Sequence, residues 1–249
     1  MHDTVIRGGT IIDGTGSAGF TGDIALNGDK IAQVGGKAGP GRREINADGL
    51  VVAPGWVDAH THYDGQATWD SMLAPSSLHG VTTILFGNCG VGFAPVRRKD
   101  HDQLIGLMEA VEEIPGIALA EGLKWNWESF PEYLNALEGM QRTIDIAAQV
   151  PHHPLRVYVM GERAINLEAA TADDIEAMYR LTLEGLQAGA FGFTTSRTNS
   201  HKTLTGGMVP SRYSEIDELM GIGRALAKVQ HGAFGMNSDF DIEESELGW

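Results

Sequence analysis

The sequence predicts an α/β protein that begins with an all-β segment. Residues 1–52 hold short alternating strands separated by glycine-containing turns, whereas residues 53–249 alternate strands with helices. Strands that alternate with helices are typical of a parallel sheet with helical crossovers. A third observation is the short apolar strand that ends in His60-Thr61-His62. We therefore expect a β-subdomain followed by a parallel α/β unit, with its chemistry near this histidine pair.

Composition and charge exclude several classes of function. The 249 residues carry a net charge of −15, which argues against binding nucleic acid or anionic membranes through bulk electrostatics. The single cysteine, Cys89, excludes a disulfide within the chain, and no apolar run is long enough to span a membrane. The first residues do not resemble a secretory signal. These features predict a cytoplasmic protein.

The N-terminal segment is interpreted as purely structural. Its predicted strands cover residues 5–7, 10–12, 23–26, 30–34 and 43–46. Glycine pairs separate several of them, and Asn27-Gly28 predicts a hairpin turn.

The stretch from residue 51 to residue 62 is the most informative part of the chain. Side chains alternate along a strand, so His60 and His62 point to the same side and can share one target. Imidazole is a common ligand of divalent metals, and this pattern predicts a metal site at the end of a strand. The alternative is a pair of surface histidines after a turn.

Four further strands and several helices follow. We predict strands at residues 81–86, 143–148, 190–195 and 233–237, and helices at 100–112, 130–137, 171–189 and 214–228. Thr171 and Ser214 are predicted to cap the last two helices. A closed barrel of strand–helix units needs eight strands, so five strands predict either an open sheet or part of a longer protein.

The β-segment, the phrase from Ala53 to His62 and the turn at residues 87–90 together resemble the amidohydrolase superfamily. More closely, they are similar to its N-acyl-D-amino-acid deacylase (D-aminoacylase) branch. The resemblance covers the chain but only about the N-terminal half of such an enzyme. It implies a β-sandwich subdomain over residues 1–52, incomplete without C-terminal strands. Residues 53–249 would form part of a metal-dependent (β/α)₈ TIM barrel, with about five of its eight strands.

The resemblance also implies a ligand set. His60, His62 and Cys89 match the metal-binding positions, and one or two Zn²⁺ ions are expected. Cys89 makes chemical sense on its own, because a thiolate beside two imidazoles is a typical zinc set. The alternative for a lone cysteine is a small buried apolar side chain.

The chain departs from this family at its fifth strand. A histidine ligand is expected there and another on the sixth strand, but residues 232–240 contain none, and His231 precedes the strand. Asp239 is a possible oxygen ligand in its place. The general-base aspartate of the family belongs to the eighth strand and is expected beyond residue 249. No catalytic residue is therefore identified in this chain.

The polar loop after the fourth strand holds two candidates for substrate binding. Arg197 and His201 are placed to meet a substrate carboxylate, and a solvated loop is the equal alternative. His152 and His153 follow the third strand, but adjacent side chains diverge on extended backbone, so a ligand pair is not expected there.

We predict a metal-dependent hydrolase of linear C–N bonds, with N-acyl-D-amino acids as the expected substrates. A cyclic-amide hydrolase similar to dihydropyrimidinase is the second hypothesis, although its carboxylated lysine has no counterpart in residues 190–195. The third is a non-catalytic half-barrel. An open half-barrel exposes strand edges, so we also expect self-association or a complementing C-terminal half.

Overall fold

The computed structural model describes residues 1–239. The chain divides into two compact units, Met1–Trp56 and Val57–Trp249. None of the helices within residues 1–239 has the length and apolar character that a membrane span requires.

The first unit is built on a mixed five-stranded sheet. Its strands run in the order β3-β2-β1-β4, and β5 pairs with the far end of β1. The bounds are β1 His2–Ile11, β2 Phe20–Asn27, β3 Lys30–Val34, β4 Gly41–Asn46 and β5 Val51–Val52. The strands predicted at residues 5–7 and 10–12 are one continuous strand. A register shift between Ile6 and Gly9 absorbs the glycine pair, with Gly8 at φ +68°.

One buried carboxylate organises this unit. Asp23 accepts hydrogen bonds from the backbone N–H groups of Ala38 (2.9 Å) and Gly8 (3.0 Å) and from the guanidinium of Arg7 (2.8 Å). The hydrogen bond from Ala38 is the main cause that lowers the pKa of Asp23, and those from Arg7 and Gly8 contribute less.

The second unit contains a five-stranded sheet whose strands follow their order in the chain. They are β6 Trp56–Asp58, β7 Val81–Phe86, β8 Asp145–Pro151, β9 Gly192–Ser196 and β10 Ala233–Asn237. Strands β7 to β10 pair in parallel, as predicted. Sequential parallel order is the arrangement of a barrel rather than of a doubly wound sheet.

The strand predicted within residues 51–62 is wrong as one element. Residues 53–55 interrupt it, so that Val51–Val52 pairs with β1 while Trp56–Asp58 belongs to the second sheet. Pro54 lacks an N–H group and cannot donate to a ladder, which explains why the chain changes sheets there.

Seven α-helices are present within residues 1–239. Their bounds are α1 His101–Glu112, α2 Gly116–Gly122, α3 Phe130–Glu138, α4 His152–Met160, α5 Glu162–Ile165, α6 Ala172–Gln187 and α7 Ile216–Val229. The Thr171 capping box with Asp174 is confirmed. The Ser214 cap is wrong, because Glu215 occupies the N-cap and the Ser214 hydroxyl donates to the Ser211 carbonyl instead.

The core of this unit lies between the sheet and its helices. Phe86, Val150 and Phe193 on the strands are buried in one cluster with Met178 and Leu186 of α6. The core holds the strands in place, and the ends of β6, β7 and β10 carry the candidate site.

Candidate metal centre

His60, His62 and Cys89 form the first ligand group. One ligand atom from each lies within 4.8 Å of the others, and Cys89 Sγ is 3.3 Å from His60 Nε2. The two imidazole rings are 5.4 Å apart. The histidines follow β6 and the cysteine follows β7, so the ends of neighbouring strands bring together the three residues named from the sequence.

The turn after β7 aims the thiol at the histidines. Cys89 has φ +54°, between Gly87 at +81° and Gly90 at +71°. A side chain at Gly87 would place its Cβ 2.3 Å from the Gln149 carbonyl oxygen, so only glycine fits against β8. A non-glycine residue in the left-handed region is uncommon, and such residues cluster at functional sites.

Asn88 ties this turn to its neighbours. Its amide nitrogen donates to the carbonyl of Thr61 (3.2 Å), between the two histidines, and to that of Leu85 (3.0 Å). Its amide oxygen accepts from Gln149 Nε2 at 2.9 Å. The relative position of the histidines and the cysteine is thus set by one buried amide.

Burial keeps the His62 imidazole and the Cys89 thiol neutral. Burial is the main cause that lowers the pKa of His62 to about 4, and the imidazoles of His60 and His201 make smaller contributions. Burial, followed by the charge of Glu112, raises the pKa of the Cys89 thiol to about 12. A cation among these atoms would reverse the preference of the thiol and hold it as thiolate. Two imidazoles and a sulfur fit zinc, and the buried Nδ1 of His62 has no hydrogen-bond partner within the described residues.

Glu112 is a site residue that sequence reasoning missed. It ends α1, and its Oε2 lies 3.2 Å from His62 Nε2. Glu112, Cys89 and His201 form a second ligand group, again with ligand atoms within 4.8 Å of one another. No local pattern marks this residue, because it reaches the site from the long connection between β7 and β8.

Asp64 was also missed. It is 2 % exposed, and its Oδ2 makes no hydrogen bond within residues 1–239. Burial is the largest cause that raises the pKa of Asp64 well above its usual range, and the charge of Glu112 adds to it. Backbone hydrogen bonds oppose this shift. The feature of the sequence that could have indicated Asp64 is its position two residues after His62.

The two substrate-binding candidates lie in different surroundings. His201 joins the second ligand group, with Nδ1 2.8 Å from Ser196 Oγ. Arg197 is buried, and its guanidinium donates to the Ser214 carbonyl oxygen beside a cavity lined by residues 212–217. Neither ligand group includes Arg197.

Asp239 does not take the place of the expected fifth-strand histidine. Its carboxylate accepts hydrogen bonds from the Thr198 hydroxyl and the Asn199 backbone, and it belongs to neither ligand group. Asn237, the last residue of β10, lies there instead, with Nδ2 3.5 Å from Cys89 Sγ.

His152 and His153 start α4 rather than continuing a strand, and both are fully buried. His152 contacts Thr195 Oγ1 at 2.7 Å and Glu218 Oε1 at 2.8 Å. Neither belongs to a ligand group found among residues 1–239.

Comparison with known proteins agrees with this geometry. The model of the Amidohydrolase family matches residues 43–240. A D-aminoacylase from Alcaligenes xylosoxydans xylosoxydans is 34% identical over 194 residues, which are 78% of this chain and 37% of that protein. A D-hydantoinase from Rhizobium radiobacter matches 47% of this chain at 34% identity, so the cyclic-amide resemblance is weaker.

Solved structures show the same relationship. A crystal structure of D-aminoacylase superposes with a TM-score of 0.75 and 33% identity, covering 94% of this chain and 44% of that one. An N-acyl-D-glutamate deacylase from Bordetella bronchiseptica, in complex with zinc and a phosphonate inhibitor, gives 0.70 and 29%, with coverage of 94% and 44%. The chain spans less than half the length of these relatives. Its second unit has the fold of the partial barrel predicted from the sequence, and the chain belongs to the amidohydrolase family.

Proposed function

We propose that this chain forms the metal-binding part of a hydrolase that cleaves linear C–N bonds. The observation that carries the proposal is the first ligand group, in which two imidazoles and a thiol from two strand ends lie within 4.8 Å of one another. Zinc is the proposed ion, as one or two equivalents, because a Cys–His donor set suits it.

The residues of the site have distinct parts in this proposal. His60, His62 and Cys89 hold the ion, and Asn88 fixes their spacing. When bound, the ion supplies a Lewis acid that polarises an amide carbonyl and lowers the pKa of a water. We assign no general base among residues 1–239.

N-acyl-D-amino acids are the proposed substrates. The support comes from the relatives, which include a D-aminoacylase and an N-acyl-D-glutamate deacylase with a mimic of the tetrahedral intermediate. A role for Arg197 or His201 in binding the substrate carboxylate stays part of this proposal. The cyclic-amide alternative gains no support from β9, which contains no lysine.

We further propose that the sheet edge at β10 pairs with a complementing half-barrel or with a second copy of this chain. Strand β10 is an outer strand of the described sheet and is only partly buried. Unpaired edge groups favour such pairing. A cytoplasmic location stays a prediction from composition.

The test is zinc content of the purified full chain beside His60→Ala and Cys89→Ala. We expect bound zinc in the wild type and a loss of at least one equivalent in both variants. An assay with N-acetyl-D-amino acids, on the chain alone and mixed with the C-terminal half of a related deacylase, then tests the activity. A wild-type chain that binds no zinc would contradict the proposal. Zinc binding without amide hydrolysis in either assay would favour the non-catalytic half-barrel.

A further inference from the structure

A cavity of about 440 Å³ opens between the connections that follow β7, β8 and β9. Helix α1 forms one wall, the residues at the end of α5 form another, and the loop after β9 forms the third. In barrel enzymes, the connections after the strands build the face that carries the chemistry. The cavity therefore lies on the same face of the second unit as the two ligand groups.

The walls of this cavity are largely apolar. Asp102, Gln103 and Thr203 add a few polar groups to the lining. The apolar lining residues are Leu107, Ile165, Leu167, Leu204, Met208 and Pro210. Pockets of this size that combine apolar walls with a few polar groups are typical of small-molecule sites. The ligand that fits such walls is an aliphatic group.

Gly106 keeps the cavity open. It lies in the interior of α1, where glycine is unfavourable relative to other residues. Apart from the helix backbone, a Cβ at this position would meet only the Cδ1 atom of Leu204, at 3.4 Å. No close backbone approach requires a glycine here, in contrast to Gly87. The missing side chain instead preserves the space of the cavity.

Leu167 also occupies a position that favours glycine. It follows the end of α5 with φ +61°, in the left-handed region where glycine usually ends a helix. Its side chain nevertheless lines the cavity. An apolar side chain at such a position indicates that the wall of the cavity depends on it.

Two walls of the cavity lead to the metal centre. Leu107 precedes Glu112 by five residues of α1, which is about 7.5 Å along a helix. Thr203 follows His201 by two residues, which is about 7 Å of extended chain. Glu112 and His201 both belong to the second ligand group. A ligand held at the metal centre therefore reaches the cavity if it carries a chain longer than an acetyl group.

We propose that this cavity binds the acyl chain of an N-acyl amino acid whose amide lies at the metal centre. The site then prefers amides of medium-length fatty acids to N-acetyl compounds. An amino-acid side chain would leave much of the volume empty, so the acyl chain is the part of the substrate that fits. This inference rests on the proposed metal-dependent function and adds the acyl specificity to it.

The experiment measures ligand binding to the zinc-loaded full chain by calorimetry. The ligands are hydrolysis-resistant phosphonyl analogues of N-acetyl-D-alanine, N-octanoyl-D-alanine and N-acetyl-D-leucine, in which a tetrahedral phosphorus replaces the carbonyl carbon. We expect the wild type to bind the octanoyl analogue at least about tenfold more tightly than the acetyl-alanine analogue, since each buried methylene contributes about fourfold.

The variant Gly106→Leu fills the cavity, so this difference in affinity should disappear. Gly223→Leu is the matched control and should keep the difference. Gly223 is also a helical glycine, in α7, and a Cβ there would meet only the ring of Phe234, at 3.8 Å. Far-ultraviolet circular dichroism confirms that each variant folds.

Three results would overturn the inference. They are equal affinities of the wild type for the octanoyl and acetyl-alanine analogues, an undiminished preference in Gly106→Leu, and tighter binding of the leucine analogue than of the octanoyl one. Any of them in a protein that binds zinc would leave the proposed function intact. A wild type without zinc would overturn both. In Cys89→Ala the octanoyl analogue should bind more weakly, and an unchanged affinity would separate the cavity from the metal centre and overturn the inference.

Discussion

At the scale of single residues, the site depends on Asn88, whose side chain belongs to neither ligand group. Asn88 is 6 % exposed and uses both ends of its amide, donating to Thr61 and Leu85 and accepting from Gln149. It links three strand ends through one group. The histidines and the cysteine are therefore placed before a metal arrives.

The variant Asn88→Ala tests this role. It removes the partner of the buried Gln149 Nε2 donor and of the Thr61 carbonyl, so we expect the free energy of unfolding to fall by about 1–3 kcal/mol. Loss of the link to Thr61 should also weaken zinc binding by about 10- to 100-fold. Urea unfolding and zinc titration measure the two effects, with the exposed Asn135→Ala as a control that changes neither. A stability loss with unchanged zinc affinity would refute the positioning role.

The residues found from sequence share one property. His60 and His62 stand at the end of one predicted strand and Cys89 shortly after the next, where the pattern itself indicates convergence. Glu112 ends a helix in a long connection, and His201 lies in a loop whose path no periodicity describes. Their positions depend on tertiary packing, which a single sequence does not reveal.

At the scale of elements, strand β8 was predicted but helix α4, which follows it, was not. His152-His153-Pro154 looks like an extended segment or turn, yet proline is tolerated in the first turn of a helix and here lies within α4. A buried ion pair anchors the helix: Arg156 Nη1 donates to both oxygens of Glu218 on α7, at 2.8 and 2.6 Å. Both side chains are almost fully buried.

Arg156→Met tests the importance of this anchor. Removing one partner leaves Glu218 buried with only His152 beside it, so we expect a destabilisation of about 3–5 kcal/mol. The matched control is Arg180→Met, which breaks the exposed pair with Glu176 on α6 and should cost less than about 1 kcal/mol. Chemical denaturation of both variants measures the difference. Equal effects would show that the buried pair is not an anchor.

The strand pattern was predicted better than the strand boundaries. Strands β7 and β10 lie where alternation and apolar runs placed them. The break at residues 53–55 was missed, because an apolar run on both sides of a proline looks continuous in sequence. Whether such a run pairs within one sheet or two is decided by partners that are distant in the chain.

At the scale of the whole molecule, buried neutral histidines predict how stability depends on pH. Burial lowers the pKa of His152, and it lowers that of His153 well below the usual range. Unfolded histidines bind a proton near pH 6.5, so between that value and the folded pKa the unfolded chain carries more protons. The contribution of these two histidines to the free energy of unfolding is therefore complete above about pH 6.5, and it is lost as the pH decreases.

His153→Leu tests this dependence. Each buried histidine contributes a slope of up to about 1.4 kcal/mol per pH unit, and the variant should lose one such contribution. Urea unfolding of the metal-free chain between pH 5 and pH 7 measures the slope, with the exposed His231→Leu as the control. An unchanged slope in His153→Leu would mean that this histidine binds a proton as readily in the folded chain as in the unfolded one.

The single cysteine gives the molecule a built-in reporter. The sequence contains one sulfhydryl group, and it belongs to both ligand groups. The thiolate is the reactive form and burial raises the pKa of this thiol, so a thiol-selective reagent applied at alkaline pH labels the protein at this position and at no other cysteine. Since coordination shields a thiolate from such reagents, occupancy of the site in the purified chain can be followed as protection from labelling, with no engineered probe.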